Sequence, residues 1–200
     1  MSFDTIFAGP VMAILRGFAP DETVRLARVA WDLGIDAVEV PIGRPDQVDA
    51  LRAAVDAGRP GGHVIGAGTV LIPEQVKAAA AAGAAYTVAP GFDLSVLRAS
   101  EAAGLPHLPG VATPTELQIA RIAGCTWVKA FPASSLGPSW FRDIRGPFPD
   151  VRLVATGGIT AESAPLFLAA GARVAAVGSA LSDPAQLPAL SALLGTAAPR

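Results

Sequence analysis

Short apolar runs alternate with longer amphipathic runs along the whole chain. Eight apolar runs have the length and residue types of buried strands, and they lie at residues 11–16, 37–41, 63–69, 86–89, 107–110, 127–130, 152–155 and 174–178. Stretches with helical spacing follow them, at about residues 20–34, 45–58, 73–82, 93–103, 114–124, 138–145, 161–170 and 184–194. Several of these stretches have proline near the first turn and glycine after the last, as helices commonly do.

Strands that alternate with helices favour a parallel sheet, and eight such units favour its closure into a (β/α)8 barrel, the TIM barrel. An open, doubly wound α/β sheet is the competing architecture. The chain has 200 residues, 52% of them hydrophobic, and no linker-like segment divides it. We therefore expect a single domain over residues 1–200.

Charge, the length of the apolar runs and cysteine content limit the kinds of partner and the compartment that we expect. The net charge is −2 and the basic residues are scattered, so we expect no nucleic-acid partner. The apolar runs are far shorter than the roughly 20 residues of a membrane span. Cys125 has no second cysteine to pair with, and the N-terminus lacks the features of a signal peptide. These features predict a cytoplasmic protein with a small-molecule partner and no membrane association.

The run at 127–130 contains a lysine, Lys129, between apolar residues. Lysine is rarely buried, so such a residue either serves chemistry or lies at an edge with its ammonium in water. A free lysine is neutral in only about one molecule in 2500 at pH 7, and an apolar pocket raises that fraction. A neutral amine attacks a ketone to form an imine, which stabilises a neighbouring carbanion during carbon–carbon cleavage at a 2-oxo acid. The alternative is a structural ion pair with Glu39.

Glu39 is a lone carboxylate in the apolar run that begins at Ala37. Its burial costs several kcal/mol unless it is paired or protonated. Beside a nucleophilic lysine it would move protons as a general acid and base. The sequence leaves this role and a structural ion pair equally open.

In a barrel, the residues that do chemistry lie at the carboxyl ends of the strands. Arg16, Glu39, Thr69 and Lys129 would converge there. Arg16 offers a planar donor pair for a carboxylate, although a lone arginine is more often a surface residue; Arg44 is a second candidate.

The turns after the last two strands suggest a phosphate site, which backbone N–H groups of glycines commonly form at this place in barrels. Ordinary tight turns are the alternative. The residues concerned are Gly157, Gly158, Gly178 and Ser179. His63 and His107 are the only histidines, and no metal-binding spacing is present, so we expect no metal and no other cofactor.

Together these motifs resemble the 2-keto-3-deoxy-6-phosphogluconate aldolases, with their relatives that act on the galactonate epimer and on 4-hydroxy-2-oxoglutarate. The stretches that carry the resemblance are Ala13-Ile14-Leu15-Arg16, Val38-Glu39-Val40, Gly66-Ala67-Gly68-Thr69-Val70, Ala89-Pro90-Gly91, residues 109–116, Val128-Lys129-Ala130-Phe131-Pro132-Ala133, residues 146–149, Thr156-Gly157-Gly158 and residues 177–181. Each stretch alone is weak evidence for the family, whereas the whole set in this order is specific to it.

The resemblance implies a homotrimeric class I aldolase that splits 2-keto-3-deoxy-6-phosphogluconate into pyruvate and glyceraldehyde 3-phosphate without a metal. Lys129 matches the Schiff-base lysine and Glu39 the general acid and base. The resemblance places Thr69, Pro90 and Phe131 around the pyruvyl group and Arg16 on the carboxylate, and Thr156 is a further expected substrate contact. It places Gly158 and Ser179 on the phosphate, with Gly157 and Gly178 beside them.

The chain departs from the family pattern after Glu39. Many members have Glu-Val-Thr-Leu-Arg-Thr there, and Gly43 occupies the position of that arginine. The carboxylate contact then falls to Arg16, with the role of Arg44 open. Pro41 resembles the galactonate-specific relatives and Thr156 the gluconate enzymes, so the epimer preference is open. A phosphosugar isomerase or epimerase and a non-catalytic barrel are the competing functions, although an isomerase would need a second acid/base group that the sequence does not offer.

Overall fold

The computed structural model describes residues 1–195 and confirms the TIM barrel. All the strand pairs are parallel. The strands are β1 (Val11–Ile14), β2 (Val38–Pro41), β3 (Ile65–Gly68), β4 (Tyr86–Val88), β5 (His107–Leu108), β6 (Gly110–Val111), β7 (Trp127–Ala130), β8 (Arg152–Thr156) and β9 (Val174–Val177), in the sheet order β5-β4-β3-β2-β1-β9-β8-β7-β6.

The sheet closes through one broken strand. The predicted strand at 107–110 is divided into β5 and β6 by Pro109, which has no N–H to donate to a ladder. β5 pairs with β4, and β6 pairs with β7. The first and last strands of the sheet order, β5 and β6, are therefore consecutive in the chain. The Lys129 amide donates to the Pro109 carbonyl at 2.8 Å and continues the ladder across the break. An open, doubly wound sheet is excluded.

All the helices but the first cover the outside of the barrel. The helices are α1 (Phe3–Ile6), α2 (Pro20–Asp32), α3 (Val48–Gly58), α4 (Pro73–Ala81), α5 (Leu94–Ala102), α6 (Pro114–Ile122), α7 (Ala133–Ile144), α8 (Ala164–Ala169) and α9 (Leu187–Gly195). Proline opens α2, α4 and α6 as predicted. The predicted helices at 45–58 and 184–194 begin instead with short 3-10 turns, Pro45–Gln47 and Pro184–Gln186.

Two predictions of helix extent were wrong, and a further helix was missed. The helix predicted at 138–145 begins at Ala133, and Gly137, with φ 74°, breaks it before Pro138 opens its second part. The helix predicted at 161–170 covers only Ala164–Ala169. Reciprocal hydrogen bonds between Thr160 and Ser163 hold the preceding residues in a turn. The four-residue α1 is too short to show a periodic pattern and was not predicted. Residues 196–200 of the predicted domain lie outside the described residues.

Side chains alternate between two buried layers. One layer packs between strands and helices, and the other fills the barrel with residues such as Met12, Tyr86, Leu108 and Val154. α1 belongs to the inner layer: Phe3 meets Tyr86 edge-on with ring centroids 5.9 Å apart, and Phe7 lies 5.0 Å from Trp127. The amino ends of the strands are thus closed by aromatic packing. No helix among residues 1–195 is long and apolar enough to cross a membrane.

Candidate active site

Lys129 and Glu39 meet inside the barrel. Lys129 follows Trp127 by two positions on β7 and therefore faces the same interior, while Glu39 comes from β2 on another part of the wall. Lys129 is 2% exposed and Glu39 1% exposed. The distance from Lys129 Nζ to Glu39 Oε1 is 3.7 Å. An edge lysine with its ammonium in water is therefore excluded.

The surroundings of the pair are apolar. The Lys129 amine lies 5.5 Å from the centroid of the Phe131 ring, and Thr156 on β8 is 3% exposed. Within residues 1–195, neither carboxylate oxygen of Glu39 accepts a hydrogen bond. Keeping two ionisable groups charged in this setting costs desolvation free energy unless their opposite charges compensate each other. At 3.7 Å a small side-chain movement is enough to bring the amine and the carboxyl into proton-transfer contact.

A cavity of about 410 Å³ opens beside Lys129 at the carboxyl ends of the strands. It has the size of a small-molecule site. It brings together eight of the residues singled out from the sequence: Arg16, Lys129, Phe131, Thr156, Gly157, Gly158, Gly178 and Ser179. Glu39 adjoins this set through its contact with Lys129.

Arg16, and not Arg44, reaches the cavity. Arg16 is exposed after β1, and its Nη2 donates to Thr69 Oγ1 at 3.3 Å. Arg44 instead makes a two-point ion pair with Asp46, at 3.1 and 2.8 Å. Thr69 itself has φ 57°, which is rare for a β-branched residue, and a Cβ at Gly43 would lie only 3.0 Å from its methyl group. Gly43 is therefore the small neighbour that this unusual backbone requires.

The turns after β8 and β9 line one end of the cavity with neutral hydrogen-bonding groups. Gly157 and Gly158 have φ values of 99° and 71°, in the region that favours glycine. A Cβ at Gly157 would press on the Phe131 ring at 3.0 Å, and one at Gly158 would lie 2.5 Å from Ser134 Oγ. Ser179 opens a 3-10 turn. Backbone N–H groups and hydroxyls in such turns can hold an anion.

Pro90 and Thr69 are not among the residues that line the cavity. Pro90 packs against Gly110, where a Cβ would overlap its carbonyl group. Thr69 accepts a hydrogen bond from Arg16, which does line the cavity. Within the part of the chain that the structure describes, no group of three His, Cys, Asp or Glu side chains is arranged to hold a metal ion.

Six further lining residues were missed by sequence reasoning: Ile14 on β1, Ala176 on β9, and Phe18, Ile159, Thr160 and Ser182. The last four belong to loops that follow a strand at its carboxyl end. That position is the signal that was available, since loops at this end of a barrel carry the ligand contacts. Their residue types are ordinary for loops, and nothing in them points to a site.

The family model described as KDPG and KHG aldolase matches residues 4–190 of the chain. The chain belongs to this family. This membership confirms the resemblance seen in the motifs and the predicted enzyme class, an aldolase.

Similar proteins within the KDPG and KHG aldolase family act on different epimers. The 2-dehydro-3-deoxy-6-phosphogalactonate aldolase of Escherichia coli (strain K12) is 39% identical over 86% of this chain and 84% of that protein. The probable enzyme of the same name from Rhizobium meliloti (strain 1021) is 38% identical over 88% of this chain and 82% of that protein. A solved structure of KDPG aldolase from Legionella pneumophila, with pyruvate captured at low pH as a covalent carbinolamine, has a TM-score of 0.81 and 28% identity, and 94% of each chain is covered.

Proposed function

We propose that this protein is a class I aldolase that reversibly cleaves 2-keto-3-deoxy-6-phosphogluconate to pyruvate and glyceraldehyde 3-phosphate through an imine on Lys129. The observation that carries the proposal is the position of Lys129: 2% exposed, 3.7 Å from Glu39, and on the wall of a cavity at the carboxyl ends of the strands. The mechanism needs no metal and no cofactor other than this lysine.

The reaction begins when the neutral Lys129 amine adds to the C2 carbonyl and the C2 oxygen leaves as water. A base removes the proton of the C4 hydroxyl, the C3–C4 bond breaks, and its electron pair enters the imine to give an enamine. The aldehyde product departs. A proton then returns to C3, and water hydrolyses the imine to release pyruvate. Glu39, 3.7 Å from the amine, is the group that moves these protons.

The two ends of the substrate have separate contacts. Arg16 binds the carboxylate with its planar donors, held in place by Thr69. Phe131 and Thr156, which line the cavity with Lys129, border the reacting carbons. Pro90 packs against Gly110. Gly157, Gly158, Gly178 and Ser179 take the phosphate through N–H and hydroxyl groups. The volume of the cavity, about 410 Å³, supports a phosphorylated sugar acid over pyruvate alone.

The galactonate epimer is the second candidate substrate. Two similar relatives are named for 2-dehydro-3-deoxy-6-phosphogalactonate. Pro41, two residues after Glu39, also resembles the pattern of the galactonate-specific enzymes. Thr156 favours the gluconate series instead. The unphosphorylated 4-hydroxy-2-oxoglutarate is the third candidate and would leave the glycine-lined end of the cavity unfilled.

We also propose a cytoplasmic homotrimer. Exposed apolar side chains on α6 and α8, Ile119, Ile122 and Leu166, supply surface for subunit contacts. The lone cysteine, Cys125, is buried and free, which suits a reducing compartment. Light scattering of the purified protein gives the subunit number directly.

The test of the proposed function compares pyruvate release from the three substrates by the wild type and by Lys129→Met. We expect kcat/KM to be highest for one of the phosphorylated substrates, and activity on all three to vanish in the variant. Failure of the wild type to cleave any of them, or cleavage by Lys129→Met, would refute it.

A further inference from the structure

Both inward positions of β3 are glycines. Ile65 and Ala67 belong to the outer buried layer, so Gly66 and Gly68 face the barrel interior. Gly66 is paired with Glu39, and Gly68 with Pro41. Glycine weakens a strand and often marks a place where another group approaches the backbone closely. In β3 both glycines have such a neighbour.

The neighbour of Gly68 is the Glu39 carboxyl. A Cβ at Gly68 would lie 2.6 Å from Cγ and 2.5 Å from Cδ of Glu39, and it would overlap Oε1. Oε1 is the same oxygen that faces Lys129 Nζ at 3.7 Å. With any side chain at position 68, the carboxyl could not remain where it meets the amine.

The neighbour of Gly66 is the Tyr86 ring, which would overlap a Cβ at that position. Tyr86 is completely buried, and its hydroxyl donates to the Val38 carbonyl at 2.8 Å. Val38 immediately precedes Glu39, so this bond fixes the backbone from which the acid projects. Burial, and after it the charge of Glu39, raise the pKa of Tyr86, which keeps the phenol neutral beside the acid.

Packing must hold the Glu39 carboxyl, because no hydrogen bond among the described residues does so. We propose that Gly68 and Tyr86 are positioning residues that keep the Glu39 carboxyl against Lys129, Gly68 by leaving space for it and Tyr86 by fixing the backbone beneath it. The inference rests on the proposed function, in which Glu39 transfers protons.

Two readouts separate positioning of Glu39 from the integrity of the fold. The first is the end-point yield of pyruvate trapped on Lys129 by borohydride, which needs the lysine and the folded pocket. The second is exchange of pyruvate C3 protons with D₂O followed by NMR, which also needs the acid and base. Glu39→Gln serves as the reference and should slow exchange by about 10²–10⁴-fold.

In Gly68→Ala we expect exchange to slow by at least about tenfold, toward the level of Glu39→Gln, with the trapping yield retained. Tyr86→Phe keeps the ring and removes only the hydroxyl, so we expect a smaller loss of exchange, severalfold, and an altered pH profile. Gly9→Ala is the matched control, because its Cβ would meet only Leu194, at 3.9 Å, outside the site. It should behave as the wild type.

The double variant Gly68→Ala/Glu39→Gln decides between positioning and general damage. If Gly68 acts through Glu39, adding Gly68→Ala to Glu39→Gln should have almost no further effect on exchange. The inference would be overturned if Gly68→Ala slowed exchange equally in the wild type and in Glu39→Gln. Exchange at the wild-type rate in folded Gly68→Ala would also overturn it. Should Gly68→Ala not fold, wild-type exchange and an unchanged pH profile in Tyr86→Phe would overturn it. Wild-type exchange in Glu39→Gln would refute the proposed acid–base role itself, and with it this inference.

Discussion

At the scale of single residues, Lys129 and Glu39 stabilise each other in a place where neither would be stable alone. Both side chains are at most 3% exposed and lie 3.7 Å apart. Removing one member of such a pair leaves an uncompensated buried charge, whereas removing both is often neutral or stabilising. In the proposed mechanism, catalytic demand and folding stability therefore conflict at this pair.

The pair predicts a strongly non-additive effect on stability. Lys129→Met or Glu39→Leu alone should lower the free energy of unfolding by up to about 3–5 kcal/mol, and the double variant should recover most of that loss. Urea unfolding of the wild type, the two single variants and the double variant measures this double-mutant cycle. Additive losses in the double variant would contradict a compensating pair.

His107 predicts a specific acid sensitivity. Its Nδ1 lies 2.8 Å from Thr87 Oγ1, and burial lowers the pKa of His107 to about 4, a shift that the negative charge of Asp93 partly opposes. Because the unfolded histidine binds a proton more readily, its contribution is present above about pH 6.5 and is lost as the pH falls toward 4, by roughly 3 kcal/mol in total. We expect His107→Gln to flatten the decline in unfolding free energy between pH 6.5 and 4. An equally steep decline in the variant would contradict this.

The sequence predicts some of the site residues better than others. Lys129 and Glu39 are charges inside apolar runs, and a charge in such a run is conspicuous. The φ of 57° at Thr69 could not be predicted from its residue type, because a β-branched residue rarely adopts that conformation. Pro90 was placed near the substrate from the family pattern, and the structure puts it against Gly110 instead of on the cavity wall.

At the scale of elements, the turn after β8 forms the neutral end of the cavity. It holds Gly158 at φ 71° against the first turn of α7, and the Ser134 amide donates to the Gly157 carbonyl at 3.0 Å. This contact explains why α7 begins at Ala133, five residues before the predicted start. The prediction followed Pro138, a sound signal for the first turn of a helix, but a break at Gly137 between two helical parts leaves no such signal.

The turn predicts a change in substrate preference. In Gly158→Ala the added methyl group would strain the backbone and collide with Ser134. We expect KM for the phosphorylated substrates to rise by about tenfold or more, as for loss of one hydrogen bond to a charged group. Activity on 4-hydroxy-2-oxoglutarate should stay near the wild-type value. Steady-state kinetics of this variant and Gly9→Ala provide the measurement, and an equal loss on both kinds of substrate would argue against a phosphate site here.

At the scale of the whole molecule, the eight strand–helix units in the sequence define the barrel, and its closure follows from their number. The pattern did not show how closure is achieved: through a strand broken at Pro109, whose halves pair with opposite neighbours. It also missed α1, whose Phe3 closes the amino end of the barrel beneath Tyr86. Both features depend on contacts between distant segments, which local spacing does not record.

The barrel gives its two ends opposite properties. Aromatic packing of α1 closes the amino end, while the cavity opens at the carboxyl end beside Lys129. Lys129 lines this cavity, so in the proposed function a substrate that fills the cavity would displace water from beside the amine. This arrangement suits an imine, which must form and later hydrolyse through the same opening.

Borohydride reduction of the protein in the presence of pyruvate, followed by peptide mass spectrometry, tests the central claim most directly. The account predicts one reduced pyruvyl adduct, on the peptide that contains Lys129, and none in Lys129→Met. An adduct on another lysine, or the absence of any adduct in a folded wild-type protein, would contradict it.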